Sequence, residues 1–167
     1  VRPGDRGAME ASKRHWNKIA KPLDGLGRME DLLVKIAGAV RSEKLCLERK
    51  AVVVFCADNG VVAEGVTQTG SEVTAVVTEN IARGIASVNR MASVAGADVI
   101  PIDVGVKGRL QEAGIRNCRI ADGTANLLHE PAMTMEQTLE AIHTGIAQAG
   151  ELKDSGYDPV SYTHLTL

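Results

Sequence analysis

The residues best suited to chemistry stand in one stretch, Asp58-Asn59-Gly60-Val61-Val62-Ala63-Glu64-Gly65-Val66-Thr67-Gln68-Thr69-Gly70. It holds two carboxylates and several small hydroxyl and amide groups, with no basic residue. Its glycines recur at every fifth position, which lets the backbone turn sharply and come close to a ligand. Asp58-Asn59-Gly60 on its own reads as a tight turn, Asn-Gly being a common turn pair. A turn would not need the ten or so residues that follow, against a usual loop of about 2–6. The stretch therefore reads as a binding loop, with Asp58, Asn59, Gly60, Glu64, Gly65 and Gly70 as its candidate contacts.

Other motifs carry less. Asp103-Val104-Gly105 closes a second apolar run and either lines the same crevice or lets Asp103 cap the next turn. Gly123-Thr124-Ala125-Asn126 reads as a turn near the sheet. Gly25-Leu26-Gly27 lacks a third glycine and follows no strand, so it is no dinucleotide fingerprint. His15, His129, His143 and His164 show no metal-ligand spacing, and no metal or cofactor is expected. Neither a Ser/His/Asp nor a Cys/His arrangement can be defended from spacing. Cys46, Cys56 and Cys118 are an odd set without C-x-x-C spacing, which fits a reducing compartment such as the cytoplasm.

These groups must be held by something, and the hydrophobic pattern says what. Residues 51–57 are an unbroken apolar run of strand length, the mark of a strand buried on both faces. Helical faces follow at Val73, Val76, Val77 and Ile81, then, after Gly84, at Ile85, Val88, Ala92 and Ala95. Residues 99–104 form the next strand candidate, with Pro101 favouring an edge or a strand end, and a short strand is expected at 118–120. Met135, Leu139, Ile142, Ile146 and Ala149 line one face of a last helix, opened by a Thr134/Gln137 capping box and stopped at Gly156. Ahead of all these lie a helix at about 8–20, the turn Lys21–Gly27, and a second helix with Met29, Leu32, Leu33, Ile36, Ala37 and Val40 on one face. Strands alternating with helices predict an α/β fold. Its parallel sheet carries helices on both faces in the Rossmann or flavodoxin manner, after an N-terminal helical segment at 1–48.

Composition agrees. The chain of 167 residues is 44% hydrophobic, and its only aromatics are Trp16, Phe55, Tyr157 and Tyr162. Such a core is built from small and β-branched side chains. A formal net charge of -2, without any basic run, argues against binding nucleic acid through phosphates. No apolar stretch approaches the roughly 20 residues a membrane helix needs, so no membrane partner is expected.

Phe55–Val66 followed by Glu72-Val73-Thr74 resembles a specific family, the nicotinate-nucleotide–dimethylbenzimidazole phosphoribosyltransferases of cobalamin assembly. Lys21–Glu30 is similar to that family's N-terminal turn, Asp103–Val106 to its second strand end, and Glu130–Met133 to its entry into the next helix. The likeness runs from about residue 8 to Asp158. It implies transfer of phosphoribose from nicotinate mononucleotide to 5,6-dimethylbenzimidazole, giving α-ribazole phosphate, by a homodimer. It further implies that Thr69 places a small hydroxyl beside the base, and that Val73 and Val77 belong to the base pocket. Relatives carry His at the position of Asn59 and Gln at that of Val77, so base recognition here would rest more on shape.

The resemblance puts the general-base glutamate in a C-terminal half beyond this sequence, so no catalytic residue is assigned and the isolated chain is expected to be inactive. Residues 1–158 read as the N-terminal part of the transferase domain and 159–167 as a foreign tail, with Val1 and Leu167 as cut ends. The competing reading is a self-contained flavodoxin-like module that binds a small ligand without chemistry.

Overall fold

The computed structural model describes residues 3–46 and 48–157, together with the backbone of 160–165. It divides into two compact units, 1–47 and 48–167.

The first unit is a pair of helices, α1 (Arg6–Lys18) and α2 (Arg28–Val40). The Asp5 carboxylate accepts from the Ala8 N–H at 2.8 Å and so starts α1 two residues ahead of the expected position. Gly38 is where the helices meet, since a Cβ there would lie 2.6 Å from the Met9 Cγ. Gly27 brings no side chain to cap α2, and Glu30 reaches back in its place. Its carboxylate accepts from the Leu26 N–H at 3.0 Å and pairs with the Lys21 ammonium at 2.8 Å. The bond from Lys21, then that from Leu26, holds the Glu30 carboxyl below the usual carboxylate range. A lowered folded-state pKa contributes stability that is complete above the ordinary carboxylate pKa and is lost as pH falls through the lowered one. The melting temperature is therefore expected to fall on acidification to about pH 3, with a shallower fall in Glu30→Gln. Equal slopes in the two proteins would remove Glu30 as the cause. Of the expected apolar face of α2, Ala37 is buried and Leu33 half-buried, whereas Met29, Leu32, Ile36 and Val40 are exposed.

The second unit is the sheet with its helices. Its elements are β1 (Lys50–Ala57), α3 (Glu72–Ala82), α4 (Ser87–Ala95), β2 (Ala97–Gly105), β3 (Arg116–Asn117), α5 (Met135–Asp154) and β4 (Val160–Leu165). The strands are all parallel, in the order β3-β2-β1-β4. Residues of β1 pack into clusters on opposite faces of the sheet, which explains its unbroken apolar run. Val54 and Cys56 pack with Ile81 of α3 and Val88 of α4, while Val53 packs with Ile102 and with Leu152 of α5. Helices thus cover both faces, as the strand–helix alternation predicts.

Two expected elements have other bounds: β2 runs from Ala97 rather than Val99, and the short strand expected at 118–120 lies instead at Arg116–Asn117. The segment 118–120 is irregular, although the Cys118 and Ile120 N–H groups still donate to the carbonyls of Asp103 and Val104. Pro101 sits within β2 opposite Val54, and β3 borders β2 only from Ile102 onward. The proline therefore lies beside an open stretch of that side, where a missing N–H is tolerated.

The capping box of α5 forms as its sequence predicts. The Gln137 N–H donates to Thr134 Oγ1 at 3.2 Å and the Thr134 N–H to Gln137 Oε1 at 2.9 Å. Gly156 follows the helix at φ 81°. Tyr157 then ties the exit to the start of β2, its hydroxyl donating to Asp98 Oδ2 at 2.6 Å beneath the Arg49 guanidinium. That bond to Asp98 pushes the Tyr157 phenol up. The inward residues of α5 are Gln148 and Leu152, whereas Met135, Leu139, Ile142 and Ile146 are exposed. The expected change of character at 158/159 falls on residues outside those described; the backbone beyond it, β4, pairs with β1.

Candidate functional site

The order β3-β2-β1-β4 reverses direction at β1, since the chain moves outward through β2 and β3 and then returns to the other side of β1. Ligands of open parallel sheets bind outside the carboxyl ends of the strands at such a switch point. The segment leaving β1 there is 58–71, the stretch richest in candidate residues.

Asp58 is wholly buried and ties three segments together. Its N–H donates to the Gly105 carbonyl at 2.9 Å, its carbonyl accepts from the Thr124 N–H at 2.9 Å, and its Oδ2 accepts from the Lys107 N–H at 2.7 Å. Asp58 Oδ1 is buried without a hydrogen-bond partner. Asn59 then leads into a 3-10 helix, Gly60–Glu64, closed by Gly65 in the left-handed region at φ 70°. The Gly60 N–H donates to Thr124 Oγ1 at 3.1 Å. Glu64 Oε1 accepts from Asn126 Nδ2 at 2.5 Å and lies 3.3 Å from His129 Nε2.

Asp103 serves the neighbouring strand end in the capping role that its position left open. Its Oδ1 accepts from the N–H groups of Gly105 and Val106 at 3.0 and 2.8 Å, fixing the turn after β2. Its Oδ2 pairs with Arg119 at 3.2 Å, and that guanidinium also holds Asp122 and the Gly108 carbonyl. Thr69, Gly70 and Val73 form a separate group at the entry to α3. The Thr69 carbonyl accepts from Thr67 Oγ1 at 2.6 Å, and that of Gly70 from the Val73 N–H at 3.3 Å. Val77, one turn further along α3, stands on the wall of an apolar cavity of about 460 Å³ shared with Val54, Ile81, Val88 and Met91.

The structure therefore joins Asp58, Gly60, Glu64, Asp103 and Gly105 into one bonded mesh. It adds Lys107, Arg119, Thr124 and Asn126, which were not among the candidate contacts. Gly123-Thr124-Ala125-Asn126 did signal a turn, but its pairing with the β1-exit loop is a long-range contact. Arg119 carries no local pattern at all. Each carboxylate of the mesh already accepts from a donor within the fold, so their visible work is to hold loops. Burial pushes the thiols of Cys56 and Cys118 up, which disfavours the thiolate. Among the described residues no cluster of three or more His, Cys, Asp or Glu side chains is placed to hold a metal ion, and no helix is long and apolar enough to cross a membrane.

A parallel sheet with helices on both faces and an elaborated loop at its switch point defines an α/β protein of the doubly wound class. Comparison with known proteins narrows this class. A family model described as Phosphoribosyltransferase matches residues 1–165. The nicotinate-nucleotide–dimethylbenzimidazole phosphoribosyltransferase of Acetivibrio thermocellus is 38% identical over 148 residues, 89% of this chain and 42% of that protein. That of Chloroflexus aggregans is 38% identical over 159 residues, 95% of this chain and 45% of that protein. A crystal structure of the Thermus thermophilus enzyme superposes with a TM-score of 0.88 at 34% identity, covering 98% of this chain and 50% of its own. The chain belongs to the nicotinate-nucleotide–dimethylbenzimidazole phosphoribosyltransferase family. It spans about half the length of the curated relatives it matches.

Proposed function

We propose that this chain contributes the base-binding side of a transferase that moves phosphoribose from nicotinate mononucleotide to 5,6-dimethylbenzimidazole. The observation that carries the reading is the Asp58–Gly70 loop, placed at the sheet's switch point in a chain of this family. In the reaction a ring nitrogen of the benzimidazole attacks the anomeric carbon, and the bond to the pyridinium nitrogen breaks. The electron pair leaves with nicotinate, and the configuration inverts to give α-ribazole phosphate. The leaving group starts as a cation, so its departure is intrinsically favourable. What the protein must supply is alignment of two flat rings on opposite faces of the sugar, and a group to take the azole N–H proton. Thr69, Val73 and Val77 are assigned to the benzimidazole, and the loop 58–65 to the wall beside the sugar.

No residue of this chain is assigned as the base, because Asp58, Glu64 and Asp103 are each engaged in holding loops. The reading extends to a homodimer in the cytoplasm, in keeping with its free thiols. The test uses the 167-residue chain as it stands. It is expected to bind dimethylbenzimidazole, followed by ligand fluorescence, and to form no α-ribazole phosphate when nicotinate mononucleotide is added. Binding no tighter than that of an unrelated bicyclic aromatic would overturn the base-pocket assignment. Product above background would overturn the claim that no base stands in this chain.

A further inference from the structure

We infer that Thr124 and Asn126 are positioning residues, acting as a two-point clamp that sets the conformation of the β1-exit loop. The 3-10 helix at 60–64 is pinned at its first residue and again at its last, by two side chains of one turn. At the first, the Gly60 N–H is an orphan donor of a helix start, and the preceding Asn59 supplies no side-chain cap. Thr124 Oγ1 accepts that N–H at 3.1 Å, while its own hydroxyl donates to the Ala125 carbonyl at 3.1 Å. At the last, Asn126 Nδ2 donates to Glu64 Oε1 at 2.5 Å.

The turn that carries both side chains is itself anchored. Its Thr124 N–H donates to the Asp58 carbonyl, and its Ala125 N–H to the Ala132 carbonyl, each at 2.9 Å. Packing adds a steric constraint, because a Cβ on Gly60 would lie 2.5–2.6 Å from the backbone of Thr124, Ala125 and Asn126. The loop can therefore lie flat on the turn only in this register. Beyond Gly65 the chain runs to Thr69 and α3, so the clamp fixes where the base-pocket group begins. What the loop binds rests on the function proposed above; the clamp does not.

The experiment has two arms, hydrogen exchange at the amides of 60–65 and fluorescence titration with dimethylbenzimidazole. Thr124→Val removes the bond that holds Gly60 together with the hydroxyl's own bond to the Ala125 carbonyl; loss of the first, a bond of ordinary strength, is expected to speed exchange at 60–65, and to weaken binding, by about tenfold each. Thr124→Ser keeps the acceptor and should restore both, and amides in α5 should not change in either variant. Asn126→Ala releases the other end and is expected to speed exchange at Glu64 and Gly65; it serves as the deciding variant if Thr124→Val does not fold. Unchanged exchange at 60–65 in the folded variant, or failure of serine to rescue, would overturn the clamp. If the wild-type chain bound no dimethylbenzimidazole while exchange behaved as described, the function reading would fall and the clamp would stand.

Discussion

Gly60→Ala is expected to spring the β1-exit loop from its seat while leaving the sheet folded. The added Cβ would meet backbone on the facing turn at 2.5 Å from the Ala125 carbonyl carbon and 2.6 Å from the Asn126 nitrogen. Real Cβ atoms do not approach so closely, and neither neighbour is a flexible side-chain tip. Gly60 lies outside the positive-φ set, so alanine can adopt its backbone conformation and the cost is purely steric. Overpacking of this kind costs about 1–3 kcal/mol if it is accepted in place. The loop can escape most of that by lifting off, which gives up the bonds from Gly60 to Thr124 and from Asn126 to Glu64. Dimethylbenzimidazole binding should then fall further than in Thr124→Val, with a loss in melting temperature of only a few degrees. Gly65→Ala offers the control. Nothing lies within 4 Å of its Cβ position, but its φ of 70° disfavours any side chain, so about 1 kcal/mol of backbone strain is expected. A Gly60→Ala protein with wild-type binding would show that the loop and turn are not pressed together.

The contrast between these glycines shows what a sequence can and cannot disclose. Their five-residue spacing marks an unusual loop, and the chain places that loop at the switch point as the strand–helix alternation implies. It does not disclose that Gly60 is needed for close approach and Gly65 for a left-handed turn. The first depends on Thr124, 64 residues further on. Asp58 shows the same limit. Its type and position suggest a contact to ligand, yet the structure buries it entirely and engages its carboxylate with the Lys107 N–H. Capping is local and therefore legible, which is why the Thr134/Gln137 box is found as expected. Loop-to-loop bonding is not local: Asn126 is legible only as part of a turn, not as a partner of Glu64, and Arg119 enters the mesh with no sequence signal ahead of it.

Leu152→Ala is expected to cost about 2–5 kcal/mol, and Leu139→Ala to stay within about 0.5 kcal/mol, although both sit in α5. The apolar period Met135, Leu139, Ile142, Ile146 identifies the helix correctly, but that stripe does not pack on the sheet. Leu152 is 1% exposed and packs with Val53 and Ile102, whereas Leu139 is 50% exposed. Truncating Leu152 removes contacts between α5 and the centre of the sheet and leaves a cavity that two β-branched neighbours cannot close without leaving their rotamers. Truncating Leu139 removes little that is buried in this chain, and alanine's better helix propensity offsets part of the loss. For a chain of this size each kcal/mol shifts the melting temperature by roughly 2–4 °C, so Leu152→Ala should be plainly resolved from wild type and Leu139→Ala barely. Equal losses at the two positions would mean that the Met135–Ile146 stripe is buried in solution as well as the face that Gln148 and Leu152 define.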